Sequence, residues 1–169
     1  DNLAPSWLTP ENLPSLRNLD LSHCSLKYLS MPLGFPITTL RLSWCCGLRN
    51  LDQCLDPEHL PFVKSIELDW CPNLVSVPVH SFVGFVFLQD LRIHQCFKLV
   101  CPREMVLPPA LRRLSVSFCG ELGNSFPDCL ENLNFLTLLH LEACLTIRLI
   151  RLNSINTNML SCLVLRHCS

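Results

Sequence analysis

Cysteine is the residue in this chain with the most chemistry to offer. Twelve of the 169 residues are Cys, and a thiol can cross-link, ligate a metal, act as a nucleophile or fill a buried space. Spacing decides among these uses. Cys24, Cys45, Cys71, Cys96, Cys119, Cys144 and Cys168 follow one another at steps of 21, 26, 25, 23, 25 and 24 residues. Each closes the same phrase, apolar-x-x-apolar-x-apolar-x-x-Cys, first met as Leu16, Leu19, Leu21 and Cys24. A zinc site draws four ligands together, usually from Cys-x-x-Cys pairs, and the sequence has no such pair. Bridges between successive members are within geometric reach, but seven in a row cannot all pair. One reading suits all seven: a column of reduced, inward, structural thiols. Cys46, Cys54, Cys101, Cys129 and Cys162 stand off this column and read as scattered reduced thiols.

The elements that must position the column follow from the phrase itself. All 21 of its apolar slots are Leu, Ile or Val. A 20–29-residue period with this pattern marks a leucine-rich repeat, in which each unit lays down one short strand around Leu-x-Leu. Stacked units place the strands in a parallel sheet on the concave side. The turn after each strand leaves backbone groups unpaired, and an inward thiol can satisfy them while tolerating burial. Between strands the chain is rich in proline, as in "SMPLGFP" and "LDPEHLP", which suits an irregular convex side without ladder hydrogen bonds. Only "SFPDCLENLNF" suggests a helical turn. The expected fold is therefore an α/β repeat solenoid, a right-handed horseshoe segment of about seven Cys-type repeats with a mostly irregular convex side. It forms one domain over residues 1–169. Neither end carries a clear polar cap, so the chain reads as an excerpt of a longer solenoid.

Strand alternation sends the x positions outward in columns. The central column reads Asp20, Arg41, Glu67, Arg92, Ser115, His140 and Val164; its first four charges alternate, so neighbours are placed for lateral ion pairs. Beside it run Ser22, Ser43, Asp69, His94, Ser117, Glu142 and Arg166, and then, just before the thiols, His23, Trp44, Trp70, Gln95, Phe118, Ala143 and His167. Aromatic area beside guanidinium groups is the usual composition of a protein-binding hot spot. The candidate partner-binding residues are thus Trp44, Trp70, Arg41, Arg92, Glu67, Asp69, His94 and Phe118. The alternatives are that the tryptophans pack on the turn edge and that the charges form a solvated ladder worth little per pair. Arg92 is expected to point outward, so that its replacement by Ala should barely change stability. Asp69, His94 and Ser117 fall in one column in a superficial acid–base–nucleophile order. An open sheet offers neither a pocket nor an oxyanion hole, so no enzyme activity, cofactor or metal is expected.

A net charge of −1 gives no global basic field, and Arg17, Lys64, Arg112 and Arg113 are too dispersed for a nucleic-acid stripe. No apolar run approaches the length of a membrane span, no signal peptide is visible at the start, and no Asn-x-Ser/Thr sequon occurs. The expected location is cytoplasmic, with the nucleus as the alternative.

Residues 71–99, "CPNLVSVPVHSFVGFVFLQDLRIHQCFKL", combine Cys71, Leu74, Val77 and Pro78 with Leu88, Leu91, Ile93 and Cys96. This grammar resembles the C-terminal repeats of plant nucleotide-binding leucine-rich-repeat disease-resistance proteins. "LGNSFPDCLENLNFLTLLHLEAC" follows it too, and "PSWL" at residues 5–8 resembles a segment preceding such repeats in cereal members. The resemblance implies a recognition module of an intracellular immune receptor. Such a module senses pathogen effectors or a host guardee and packs on the nucleotide-binding domain of the parent chain to restrain it. The family's Gly-x-x-x-x-Gly-Lys-Ser/Thr loop is absent from these residues. The competing reading is the substrate-recognition repeats of an F-box type ubiquitin ligase subunit. An extracellular receptor-kinase ectodomain would bring Asn columns and sequons, which are not seen.

Overall fold

The computed structural model describes residues 7–78, 82–100, 106–120, 126–144 and 157–168. Seven strands of five residues each rise from the seven phrases: β1 (Asn18–Ser22), β2 (Thr39–Ser43), β3 (Ser65–Asp69), β4 (Asp90–His94), β5 (Arg113–Ser117), β6 (Leu138–Glu142) and β7 (Cys162–Arg166). They form one parallel sheet in chain order. The fold is a repeat solenoid, as the period requires: consecutive parallel strands can be adjacent only if each return segment carries the chain back to its start.

Register is unbroken. Leu19 pairs with Leu40, Leu40 with Ile66, Ile66 with Leu91, Leu91 with Leu114, Leu114 with Leu139 and Leu139 with Leu163. A slip by one residue would turn each apolar pair outward. From the second coil to the sixth, the 15 apolar slots of the phrase are exposed by no more than 4%. In the first coil Leu16, Leu19 and Leu21 are only partly buried, while Leu163 and Leu165 of β7 remain over 40% exposed. Each slot is dry only where a coil lies on both sides.

The return segments close the core from behind. Phe35, Leu55, Leu60, Phe82, Phe85, Leu107, Phe126, Leu130 and Leu133 are buried there. Helical structure among the described residues amounts to 3-10 turns at Phe82–Gly84, Phe126–Leu130 and Thr157–Met159. The second lies where "SFPDCLENLNF" suggested one. The other two arise in stretches that read as plain coil.

The thiol column stands as expected. Cys45, Cys71, Cys96, Cys119 and Cys144 are buried, Cys24 and Cys168 partly so, and all seven are free thiols. Each Sγ lies 3.4–3.6 Å from the carbonyl two residues back, as in Cys45 to Ser43 and Cys144 to Glu142. Five of them also face the penultimate carbonyl of the preceding strand: Cys45 reaches Leu21 at 3.3 Å, Cys71 Leu42 at 3.7 Å, Cys119 Ile93 at 3.4 Å, Cys144 Val116 at 3.6 Å and Cys168 Leu141 at 3.5 Å. The thiols thus sit over strand-end carbonyls that the turn turns inward. Cys54 and Cys129 are buried off the column, Cys46 is exposed and Cys162 is intermediate. Cys101 lies outside the described residues.

Candidate protein-binding face

The residue between strand and thiol has a backbone that its composition does not announce. His23, Trp44, Trp70, Gln95, Phe118, Ala143 and His167 all adopt positive φ, between 49° and 56°. This left-handed region costs a non-glycine residue on the order of 1 kcal/mol or more. The compensation is visible in the ladder. Six of the seven N–H groups donate to the next strand's last carbonyl, from His23 to Ser43 at 2.9 Å through Ala143 to Arg166 at 2.8 Å. The turn also aims the next residue, the cysteine, into the core.

Identical backbone angles on successive coils make the side chains of this column parallel. Trp44 and Trp70 therefore stack, with ring centroids 4.6 Å apart, close to the spacing of the strands that carry them. His23 stacks on the other side of Trp44 at 5.5 Å. Phe97 meets Trp70 edge-on at 5.7 Å, so the aromatic ladder has four members over four coils. Phe97 follows the thiol of its coil rather than preceding it, and the columns alone did not single it out. Trp44 is 42% exposed and Trp70 about half-buried. Phe118 is also exposed, but Gln95 occupies the intervening coil and no ring contact ties it to the ladder. It belongs to the same edge and not to the same cluster.

The ion pairs differ from the expected alternation. Arg41 does reach Glu67, at 3.5 Å, and its Nε donates to Ser43 at 3.1 Å. Asp20 instead accepts from Ser22 within its own strand. Arg92 turns from Glu67 to Asp90, Nε to Oδ1 at 3.3 Å, and Arg113 meets the other Asp90 oxygen at 2.7 Å. The reason lies in Asp90, whose side chain is only 6% exposed. A carboxylate so covered needs compensating charge far more than the half-exposed Glu67 does.

This corrects the expectation that Arg92 can be lost freely. Arg92→Ala is expected to cost about 1 kcal/mol, because Arg113 remains. The double change Arg92→Ala/Arg113→Ala is expected to cost about 3 kcal/mol, since it strands a covered carboxylate. Adding Asp90→Ala should recover most of the loss. Urea unfolding of the single, double and triple variants checks this. Strictly additive losses with no recovery would mean that Asp90 does not couple the two guanidiniums.

His94 and Asp69 are register partners, yet the order Asp69, His94, Ser117 does not form a line of hydrogen bonds. His94 Nε2 lies 3.1 Å from Ser115 Oγ, in the central column, and Ser115 Oγ lies 3.2 Å from His140 Nδ1. His140 Nε2 then stands 3.3 Å from Glu142 Oε2, a pair close enough for charge but poorly aligned for a hydrogen bond. One serine hydroxyl thus bridges two imidazoles, donating to one ring and accepting from the other. Burial lowers the His94 pKa, against the opposing pull of Asp69 and Glu67. Ser115 and Ser117 are 8% and 5% exposed although they sit on the outward face. Ser115, His140, Glu142 and Asp90 were not among the expected site residues. The column positions of Ser115, His140 and Glu142 were legible, but their mutual contacts were not, and Asp90 stood in none of the columns read from the sequence.

Among the described residues no group of three or more His, Cys, Asp or Glu side chains is placed to hold a metal ion. No helix among them is long and apolar enough to cross a membrane.

A parallel-sheet solenoid bearing an exposed aromatic ladder beside paired charges defines a repeat-solenoid protein. In its sequence the chain is similar to "Disease resistance RPP13-like protein 4" of Arabidopsis thaliana, with 30% identity over 88 residues, 48% of this chain. The chain covers 10% of that protein's length. No family model and no solved structure matches the chain.

Proposed function

We propose that this solenoid is a protein-recognition module of an intracellular plant immune receptor. It senses pathogen effectors, directly or through a host protein, and contributes to holding the receptor inactive. The observation that carries the reading is the stacked ladder of His23, Trp44, Trp70 and Phe97 beside the Arg41–Glu67 pair. It offers rigid aromatic area with little side-chain entropy left to lose, and polar groups at its rim to set orientation. Similarity to a plant disease-resistance protein supports the biological setting. The role is binding and not catalysis: Ser115, the best-placed hydroxyl, is covered and shared between two imidazoles. Phe118 lies on the same edge as the ladder, Asp69 and His94 in the column beside it, and Arg92 in the central column.

In the full-length parent receptor, Trp44→Ala/Trp70→Ala is expected to abolish the cell-death response to the matching effector. A buried aromatic anchor contributes about 2 kcal/mol or more to an interface, which is over tenfold in affinity for each. Circular dichroism of the variant separates the two roles of the tryptophans. A folded double variant with a full response would place recognition elsewhere on the molecule. Loss of fold would make the ladder a packing element.

A further inference from the structure

The edge where the strands begin carries a second feature, distant along each strand from the aromatic ladder. Arg17, Pro36, Thr38, Phe62, Lys64 and Phe87 line a shallow groove of about 440 Å³. Phe62 and Phe87 are 51% and 47% exposed, although each directly precedes a fully inward residue, Val63 and Leu88. Their rings stand out because the chain enters each strand from the return side at this point. Thr38 and Lys64 use their backbone groups in the coil-to-coil ladder, as in Lys64 N–H to Thr38 O at 2.7 Å; the Thr38 hydroxyl donates to Arg17 O at 3.2 Å, while the Lys64 side chain is exposed.

The uncompensated charge along this edge is positive. Arg17, Lys64 and Arg112 have no acidic partner among the described residues. Arg17 donates to the carbonyls of Pro14 and Leu16, at 2.9 and 3.1 Å, which leaves its charge uncompensated. Asp90 is the one carboxylate among the residues that open the seven strands or just precede them, and two arginines already neutralise it.

From these features we infer that the groove is a docking site for an extended acidic peptide segment carrying bulky apolar residues. Arg17, Lys64 and Arg112 stand on the first, third and fifth coils, so they recur about every 10 Å at the usual strand spacing. An extended chain in the polyproline II conformation advances about 3.1 Å per residue with three residues per turn, so carboxylates at every third position share one face and meet each cation in turn. Apolar side chains between the carboxylates fall on Phe62, Phe87 and Pro36. A single-stranded nucleic acid is the poorer fit. Three cations over five coils are sparse for a phosphate backbone, and the chain's net charge of −1 does not attract a polyanion from a distance. This site lies at the opposite ends of the strands from the tryptophans and does not rest on the function proposed for them.

Fluorescence anisotropy of the whole chain tests the inference. The probe is a short labelled peptide with Glu at every third position and Leu or Thr between. Saturable binding is expected, and Arg17→Glu/Lys64→Glu should weaken it by about tenfold or more. Lys27→Glu/Arg49→Glu lowers the net charge equally but at exposed positions beyond the other ends of the strands, and should leave binding within about twofold. A peptide with Lys in place of Glu should bind Arg17→Glu/Lys64→Glu and not the parent chain. Phe62→Ala/Phe87→Ala should weaken the original peptide without altering its salt dependence. Absence of saturable binding, or equal loss in both charge-reversal pairs, overturns the site. So does an oligothymidylate that displaces the peptide at lower concentration, since the groove would then be a nucleic-acid surface.

Discussion

Leu91→Asp is expected to unfold the middle of the solenoid. Leu91 is fully buried at the second position of β4, in register with Ile66 on one side and Leu114 on the other. No polar group of the core is available to it there, because its neighbours in the layer are aliphatic. Burying an unpaired carboxylate costs several kcal/mol or forces the group to stay neutral, against a total stability of about 5–15 kcal/mol for a domain of ordinary size. Damage spreads to the adjoining coils, since each repeat is stable only against its neighbours. The thermal midpoint should fall by roughly 10 °C or more, or the sheet signal should vanish altogether. Arg41→Ala is the comparison, one residue from the equivalent slot on β2, Leu40. It removes a half-exposed ion pair worth under about 1 kcal/mol. Equal falls in the two variants would invert the in–out register and every outward column with it.

Alkaline pH is expected to unfold the chain as surely as that substitution. Burial pushes the Cys119 and Cys144 thiols up to about 12. The Cys71 thiol is lowered by its hydrogen bond with Cys45, but its bond with Cys96 and its burial outweigh this and carry it up to about 12. Cys45 moves upward as well, first through its bond with Cys71 and then through burial, and burial alone raises Cys54. In the unfolded chain a thiol titrates near 8.5. Between about 8.5 and 12 the unfolded state therefore binds fewer protons than the folded one, and stability falls as pH rises. The contribution is complete below the unfolded value and is lost progressively above it. Three thiols, each worth about 1.4 kcal/mol per pH unit, give a slope of about 4 kcal/mol per unit. A domain of ordinary stability cannot survive more than a few such units. Urea midpoints measured under reducing conditions from pH 7 to 11 should be flat below about 8 and drop steeply above 9. A midpoint that stays level to pH 10 would mean that the column thiols are solvated or already ionised, contrary to their burial.

The spacing of Leu, Ile, Val and Cys was enough to determine the architecture. A period near 24 residues leaves no other way to bury three aliphatic slots and a thiol per unit, because no unit can cover its own apolar face. Strand positions, register and the inward thiol column were legible for that reason, as were the outward columns that hold Arg41, Glu67, Trp44 and Trp70. The adjacency of the two tryptophans also followed from register alone.

What lay outside the sequence pattern has two physical causes. The first is backbone conformation. Seven left-handed residues are filled by His, Trp, Gln, Phe and Ala, with no Gly or Asn among them, so no local preference announced them. They persist because ladder hydrogen bonds and an inward cysteine on either side overrule local preference, and these exist only once the coils are stacked. The second is choice among neighbours. Alternating charges suggested a ladder of lateral pairs, yet Arg92 left Glu67 for Asp90, and His94 chose Ser115 over Ser117. The first choice follows from how deeply Asp90 is covered; the second follows from His140, two coils away in space and 46 residues on in sequence, which shares the Ser115 hydroxyl with His94. Periodicity assigns a residue to a face; only packing decides how much water is left there, and with it which partner the residue takes.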